Sequence, residues 1–289
     1  MHPYPFEYHR AASVDEALTL LTEHGDDGKL LAGGHSLLPV MKLRLAQPAH
    51  LIDISAIRDL QGIRVNGDVV EIGALTTHHM IAIDATLKEH LGLLPEIAHV
   101  VGDQQVRNRG TIGGTLAHAD PAADYPAGVL ALNAEIVAVG PSGERVIPVA
   151  EFFLGFLTTA LEPQEIITAV RFPVLKSGTG FRYEKMANPA SGYAIVGVAA
   201  VVETAADGTV SDLRVGITGA GDVAYRATGV EDALRGSSLD QAAVRLAAEH
   251  AIDGVEVLGD VHAPVEYRGT VTKNLTRRAI LTAFERARA

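Results

Sequence analysis

Leu30-Leu31-Ala32-Gly33-Gly34-His35-Ser36 and, roughly eighty residues on, Arg109-Gly110-Thr111-Ile112-Gly113-Gly114-Thr115 share one build: an apolar element running into paired glycines. Without a Cβ, a residue reaches positive φ and lets a ligand approach the backbone closely. Successive amides then point into one concavity, a nest for an anion such as a diphosphate. Ser36, Thr111 and Thr115 add hydroxyl donors. One glycine pair usually marks only a turn. Two segments of the same build are better explained by convergence on one diphosphate.

Working outward, Ser13 reads as an N-cap with Glu16 closing a capping box, Leu18 and Leu21 on the buried face, and Gly25 as the stop. Short strands are predicted over 29–32, 51–54 and 69–73, the last after an Asn66-Gly67 turn signal. Helices are predicted from about Thr77 and over 93–101. Residues 135–139 and 145–148 flank Gly140-Pro141-Ser142-Gly143 as a hairpin, and 166–172 reads as a strand closing this part. Beyond a linker at 173–180, strands over 194–204 and 210–218 pair across Asp207-Gly208, and helices are expected near 230–234, 239–250 and 270–286. The 289 residues thus divide into a ligand domain over 1–175, itself split near 55–60, and a smaller α+β domain over 178–289.

Composition excludes several classes. A net charge of -11 argues against a nucleic-acid binder, which needs a basic surface to meet phosphates. With no cysteine, neither a disulfide nor an all-thiolate iron–sulfur cluster can form within the chain. Residues 1–7 lack the basic and apolar regions of a secretion signal. The longest apolar run, Ala194–Val202, falls far short of the ~20 residues that span a bilayer. The expectation is a soluble cytoplasmic protein.

The residues from Ala32 to Ala46 and from Arg109 through Asp120-Pro121-Ala122-Ala123-Asp124, together with Phe181-Arg182-Tyr183-Glu184-Lys185, resemble the FAD-binding medium subunits of the molybdenum hydroxylases (the xanthine dehydrogenase family). Within them the resemblance is nearest to those of aerobic carbon monoxide dehydrogenase, and it spans nearly the whole chain. It implies an α+β architecture: a vanillyl-alcohol-oxidase (PCMH-type) FAD domain, then a C-terminal domain of the carbon monoxide dehydrogenase flavoprotein kind. FAD would be held noncovalently by Ala32, Gly33, Gly34, His35 and Ser36 and by Thr111, Ile112, Gly113, Gly114 and Thr115. Asp124 would accept from the cofactor's hydroxyls, Lys185 would contact the flavin end, Val101 and Leu161 would pack near the ring, and Tyr193 would cover it. A large subunit would carry the molybdenum cofactor and a small subunit two [2Fe–2S] clusters. This chain would pass electrons from the nearer cluster to an acceptor such as a quinone, with any association at the inner membrane face running through its partners. Met186-Ala187-Asn188-Pro189 departs from the basic residues that the family often carries there.

Other readings compete with this one. A xanthine-, nicotine- or aldehyde-type hydroxylase would share these motifs. A metal hydrolase built on His118, Asp120 and Asp124 belongs to another class. Gly219-Ala220-Gly221-Asp222-Val223-Ala224 matches G-x-G-x-x-A, but no helix follows at once, so a turn is expected rather than a nicotinamide site. Adjacent His78 and His79 on a helix would diverge by about 100° and chelate poorly. The basic pairs of the last helix read as a solvated face or a subunit-docking surface.

Overall fold

Three main sheets follow one another along the computed structural model, which describes residues 2–288. The first is parallel and built from β1 (Glu7–Arg10), β2 (Gly28–Leu31) and β3 (His50–Asp53), with β3 in the centre. Helix α1 (Val14–His24) connects β1 to β2, and α2 (Leu37–Lys42) lies between β2 and β3. Ser13 Oγ accepts from the Glu16 amide at 3.1 Å, as expected of the cap. The Glu16 carboxylate, however, takes the Ala12 amide, so the box closes one residue earlier than its usual form. Gly25, at φ 52°, ends the helix. Ala17 and Leu21 pack on Ile52, while Leu18 is only half-buried at the margin.

The second sheet is antiparallel, in the order β4 (Ile63–Asn66), β5 (Val69–Gly73), β10 (Ile166–Pro173), β6 (Glu135–Gly140) and β7 (Gly143–Pro148). A small hairpin, β8 (Phe153–Gly155) with β9 (Thr158–Thr159), precedes β10. Between β5 and β6 run α3 (His78–Ile83), α4 (Ala85–His90), α5 (Leu93–His99), α6 (Gln104–Arg109), α7 (Ile112–His118) and α8 (Tyr125–Ala131). Here the sequence reading needs correction. The second glycine pair forms no left-handed loop: Gly113 and Gly114 lie in the first turn of α7, whose N-cap Thr111 accepts from the Gly114 amide. Of the four glycines, only Gly34 takes a positive φ, 77°. Every residue of α8 is buried, as an all-apolar helix must be.

The third sheet is antiparallel, in the order β11 (Gly180–Ala187), β12 (Ala194–Thr204), β13 (Val210–Thr218) and β14 (Tyr225–Arg226). It is followed by α9 (Thr228–Leu234), α10 (Gln241–Ala247) and the 23-residue α11 (Val265–Ala287). Because side chains alternate across a strand, β12 serves two cores. Val196, Val198, Ala200 and Val202 face Ala279, Ile280 and Ala283 of α11, whereas Ala199 and Val201 join α8 and the second sheet. A Cβ on Gly216 would overlap the Ala127 carbonyl, so β13 lies directly on α8. Burial on both faces explains why β12 reads as an unbroken apolar run.

The basic end of α11 is exposed yet paired in part within the chain. Arg286 donates to Glu96 and to the Phe181 carbonyl, both at 2.7 Å, and Arg278 pairs with Glu184 at 2.9 Å. Residues 219–224 form a turn, as expected. The buried Arg268 guanidinium donates to the Gly219 carbonyl at 2.8 Å, and the next helix begins only at Thr228. No helix among the described residues is long and apolar enough to cross a membrane.

Candidate functional site

The two glycine segments meet. A Cβ on Gly33 would overlap the Arg109 carbonyl oxygen and lie 2.8 Å from its carbon and 2.9 Å from Gly110 Cα. Glycine at 33 is therefore required by close backbone approach, not by a turn. The second segment is fixed from behind: the His78 amide donates to the Gly110 carbonyl, Ile112 to Thr76, and Gly113 to Ala74. A Cβ on Gly113 would sit 2.8 Å from the Ala74 carbonyl oxygen, so this contact also needs glycine.

These bonds divide the work unequally. The amides of Ile112, Gly113, Gly114 and Thr115 all find acceptors within the chain. Among the described residues, the amides of Gly33, Gly34, His35, Ser36 and Leu37 find none. Five successive unengaged N–H groups beside a glycine in the left-handed region leave donors available to an anion. His35 is exposed, and its Nδ1 lies 3.1 Å from the Gly33 carbonyl. The cleft between the segments is lined by Ala32, Gly33, Ser55, Thr77, Arg109 and Thr111.

Lys185 of β11 and Asp124, just before α8, form a buried pair at 2.8 Å. The Lys185 ammonium also donates to the Val100 carbonyl at 3.0 Å and to that of Gly192 at 2.6 Å. Tyr183 Oη donates to the second Asp124 oxygen at 2.7 Å. Lys185 has spent its three donors within the chain, and both Asp124 oxygens are occupied. Lys185 and Asp124 act as a strut joining four segments. Burial pushes the Asp124 carboxyl up, against the pull of Lys185 and Tyr183. Tyr193 is part-exposed; burial and the Asp120 charge raise its phenol, with Ser36 acting against them. Val101 is half-buried, its carbonyl accepting from Arg107 at 3.1 Å. Leu161 is held on the β7 side, where its amide meets Thr159 and the neighbouring Ala160 carbonyl takes Arg145.

His78, singled out earlier only as a poor chelator, lies under both segments. Its Nε2 is 3.5 Å from Thr115 Oγ1, and a Cβ on Gly110 would meet it at 2.6 Å. Burial, helped by His35 and Arg107, holds its imidazole down at about 4. The unfolded chain, with an ordinary histidine, takes up this proton first. Stability is thus complete above ~6.5 and is lost as pH falls towards the folded value, by up to ~3 kcal/mol. His78→Gln is expected to flatten this part of the pH dependence in denaturant titrations between pH 7 and 5. An unchanged slope would refute the assignment.

The hydrolase reading does not assemble. Asp124 is closed off as described, Asp120 Oδ1 caps the Ala122 amide at 2.9 Å, and burial lowers the His118 imidazole. Among the described residues these three do not bring their ligand atoms together.

Residues 4–175 match the family described as the FAD binding domain in molybdopterin dehydrogenase, and residues 181–283 the CO dehydrogenase flavoprotein C-terminal domain. The chain is 42% identical over 286 residues to a carbon monoxide dehydrogenase medium chain of Hydrogenophaga pseudoflava, covering 99% of each. It is 37% identical over 288 residues to the alpha subunit of a 6-hydroxypseudooxynicotine dehydrogenase complex of Paenarthrobacter nicotinovorans, covering 100% of this chain and 97% of that one. A solved structure of carbon monoxide dehydrogenase from H. pseudoflava, lacking the Mo-pyranopterin moiety, superposes with a TM-score of 0.96 at 44% identity, covering 99% of both chains.

Proposed function

The chain belongs to the FAD-binding family of the molybdopterin dehydrogenases, and from that premise we propose that it relays electrons within a carbon monoxide dehydrogenase-type complex. The observation that carries the site is the run of unengaged amides from Gly33 to Leu37, closed by glycine against Arg109. Those amides would hold the diphosphate of a noncovalent FAD, with the 111–115 backbone as the opposite wall and Tyr193 alongside the ring. Bound flavin supplies one- and two-electron redox chemistry; the protein supplies position and field. The Lys185–Asp124 strut keeps the 188–193 turn, and with it Tyr193, in place.

With no cysteine here, the [2Fe–2S] clusters that deliver electrons would lie on a small partner subunit and the molybdenum centre on a large one. The acceptor would be a quinone or its relay, and any association with the inner membrane face would run through partners. The domain boundary falls at 175–178, with the FAD domain divided near 55–60.

Absorption bands near ~370 and ~450 nm, with FAD released into the supernatant on acid precipitation, are expected of the purified chain. A colourless chain that takes up no added FAD would overturn the flavin reading. In the isolated complex, carbon monoxide is expected to bleach the flavin band. Bleaching by a nicotine-type substrate instead would keep the hydroxylase assignment and remove carbon monoxide as substrate; the 37% identity to the alpha subunit above makes this the rival to test.

A further inference from the structure

His9 on β1, His24 at the last position of α1 and His50 at the start of β3 converge although they are far apart in sequence. One nitrogen from each lies within 4.8 Å of the others. His9 Nε2 is 3.1 Å from His50 Nδ1, and the His24 and His50 rings stack at 3.7 Å. His24 Nε2 is buried and has no hydrogen-bond partner. All three side chains are half-buried.

We propose that these three histidines bind a first-row divalent transition ion of the zinc or nickel kind. Imidazole is the ligand such ions favour. Two nitrogens at ~2.0–2.1 Å from a tetrahedral zinc stand about 3.3 Å apart, close to the 3.1 Å already present between His9 and His50. The ion replaces that hydrogen bond, and the His24 ring rotates out of its stack to offer the unpartnered Nε2. Glu7, whose Oε2 is 3.6 Å from His50 Nδ1, is within reach as a fourth ligand. The C-terminus of α1 adds a field that favours a cation.

The site is separate from the flavin cleft. Glu7, Gly28 and His50 pair at the starting ends of the parallel strands, whereas the 32–36 segment leaves from the finishing end of β2. A bound ion ties β1, α1 and β3 together, so it stabilises the sheet that carries the first glycine segment.

The test uses untagged, chelator-stripped full-length chain dialysed against ZnCl2 and, separately, NiCl2. One ion per chain is expected, with Kd at or below ~10 µM, and His9→Gln, His24→Gln and His50→Gln should each weaken it at least ~10-fold. His262→Gln, an exposed histidine of the C-terminal domain, should leave binding unchanged. Zinc should raise the unfolding temperature of the unsubstituted chain but not of His24→Gln. FAD content should stay constant throughout, which separates this test from that of the flavin reading. Absence of binding at ~100 µM, or undiminished binding in the three variants, would overturn the proposal. If His50→Gln fails to fold, the titration of His24→Gln decides.

Discussion

Replacing Gly33 with alanine is expected to strip the protein of FAD. The added methyl would overlap the Arg109 carbonyl oxygen and press on Gly110 Cα, 2.9 Å away. These are backbone atoms, so no side-chain rotation relieves the clash. The two segments must part, and the amides from 33 to 37 lose their shared aim. Affinity for FAD should fall at least ~100-fold, equivalent to ~2.7 kcal/mol. Gly114→Ala supplies the contrast. Its methyl meets Thr111 Oγ1 at 2.8 Å and Ala32 Cβ only at 3.8 Å, while alanine gains up to ~1 kcal/mol of helix propensity over glycine. That variant should keep most of its flavin. Flavin per chain after gel filtration, and titration of apoprotein with FAD, measure both effects. Full FAD retention in Gly33→Ala would remove the closed-nest account.

The glycine pairs could be read from sequence because few residues tolerate such crowding, but the reason for each glycine could not. Ile112-Gly113-Gly114-Thr115 looks like a loop, since two glycines disfavour a helix. It is helical because Thr111 caps it and residues 74–76 hold its start from behind. That tertiary support leaves no local trace. The central pair of the third sheet was legible, as Asp207-Gly208 marks the turn and β12 is apolar from Ala194 to Val202, whereas β11 and β14 were not foreseen as strands. Of the helices between β5 and β6, α3 and α5 were foreseen and α4, α6, α7 and α8 were not; all are six or seven residues long, where a periodic pattern is weak. The flavin-side residues came from the family resemblance, and the structure adds the bonds that two of them make within the chain. Lys185 and Asp124 are 61 positions apart; nothing in their spacing shows that they pair, or that Lys185 also holds the Val100 and Gly192 carbonyls. The His9–His24–His50 cluster was invisible for the same reason, since only the parallel pairing of β1 with β3 brings it together.

Lys185→Met should produce the largest loss of stability, with a pH signature that identifies its cause. The substitution leaves Asp124 buried, with Tyr183 as its one remaining side-chain donor, and frees the Val100 and Gly192 carbonyls. Removing one partner of a buried ion pair typically costs ~3–5 kcal/mol. Burial already holds the Asp124 carboxyl above its ordinary range, because desolvation outweighs the help of Lys185. A carboxyl raised in the folded state contributes stability that is fully present below its unfolded value of ~3.9 and is lost as pH rises through the folded value. Without Lys185 the folded value climbs further, so the loss extends to higher pH. The gap between Lys185→Met and the unsubstituted protein should therefore be wider at pH 8 than at pH 5 in urea titrations. Adding Asp124→Asn, which removes the ionisable group, should recover part of the loss at pH 8 and little at pH 5. A gap of the same size at both pH values would mean that Lys185 matters only for the carbonyls it holds. In that case the departure of the 188–193 turn, rather than a stranded carboxylate, would account for any flavin lost with it.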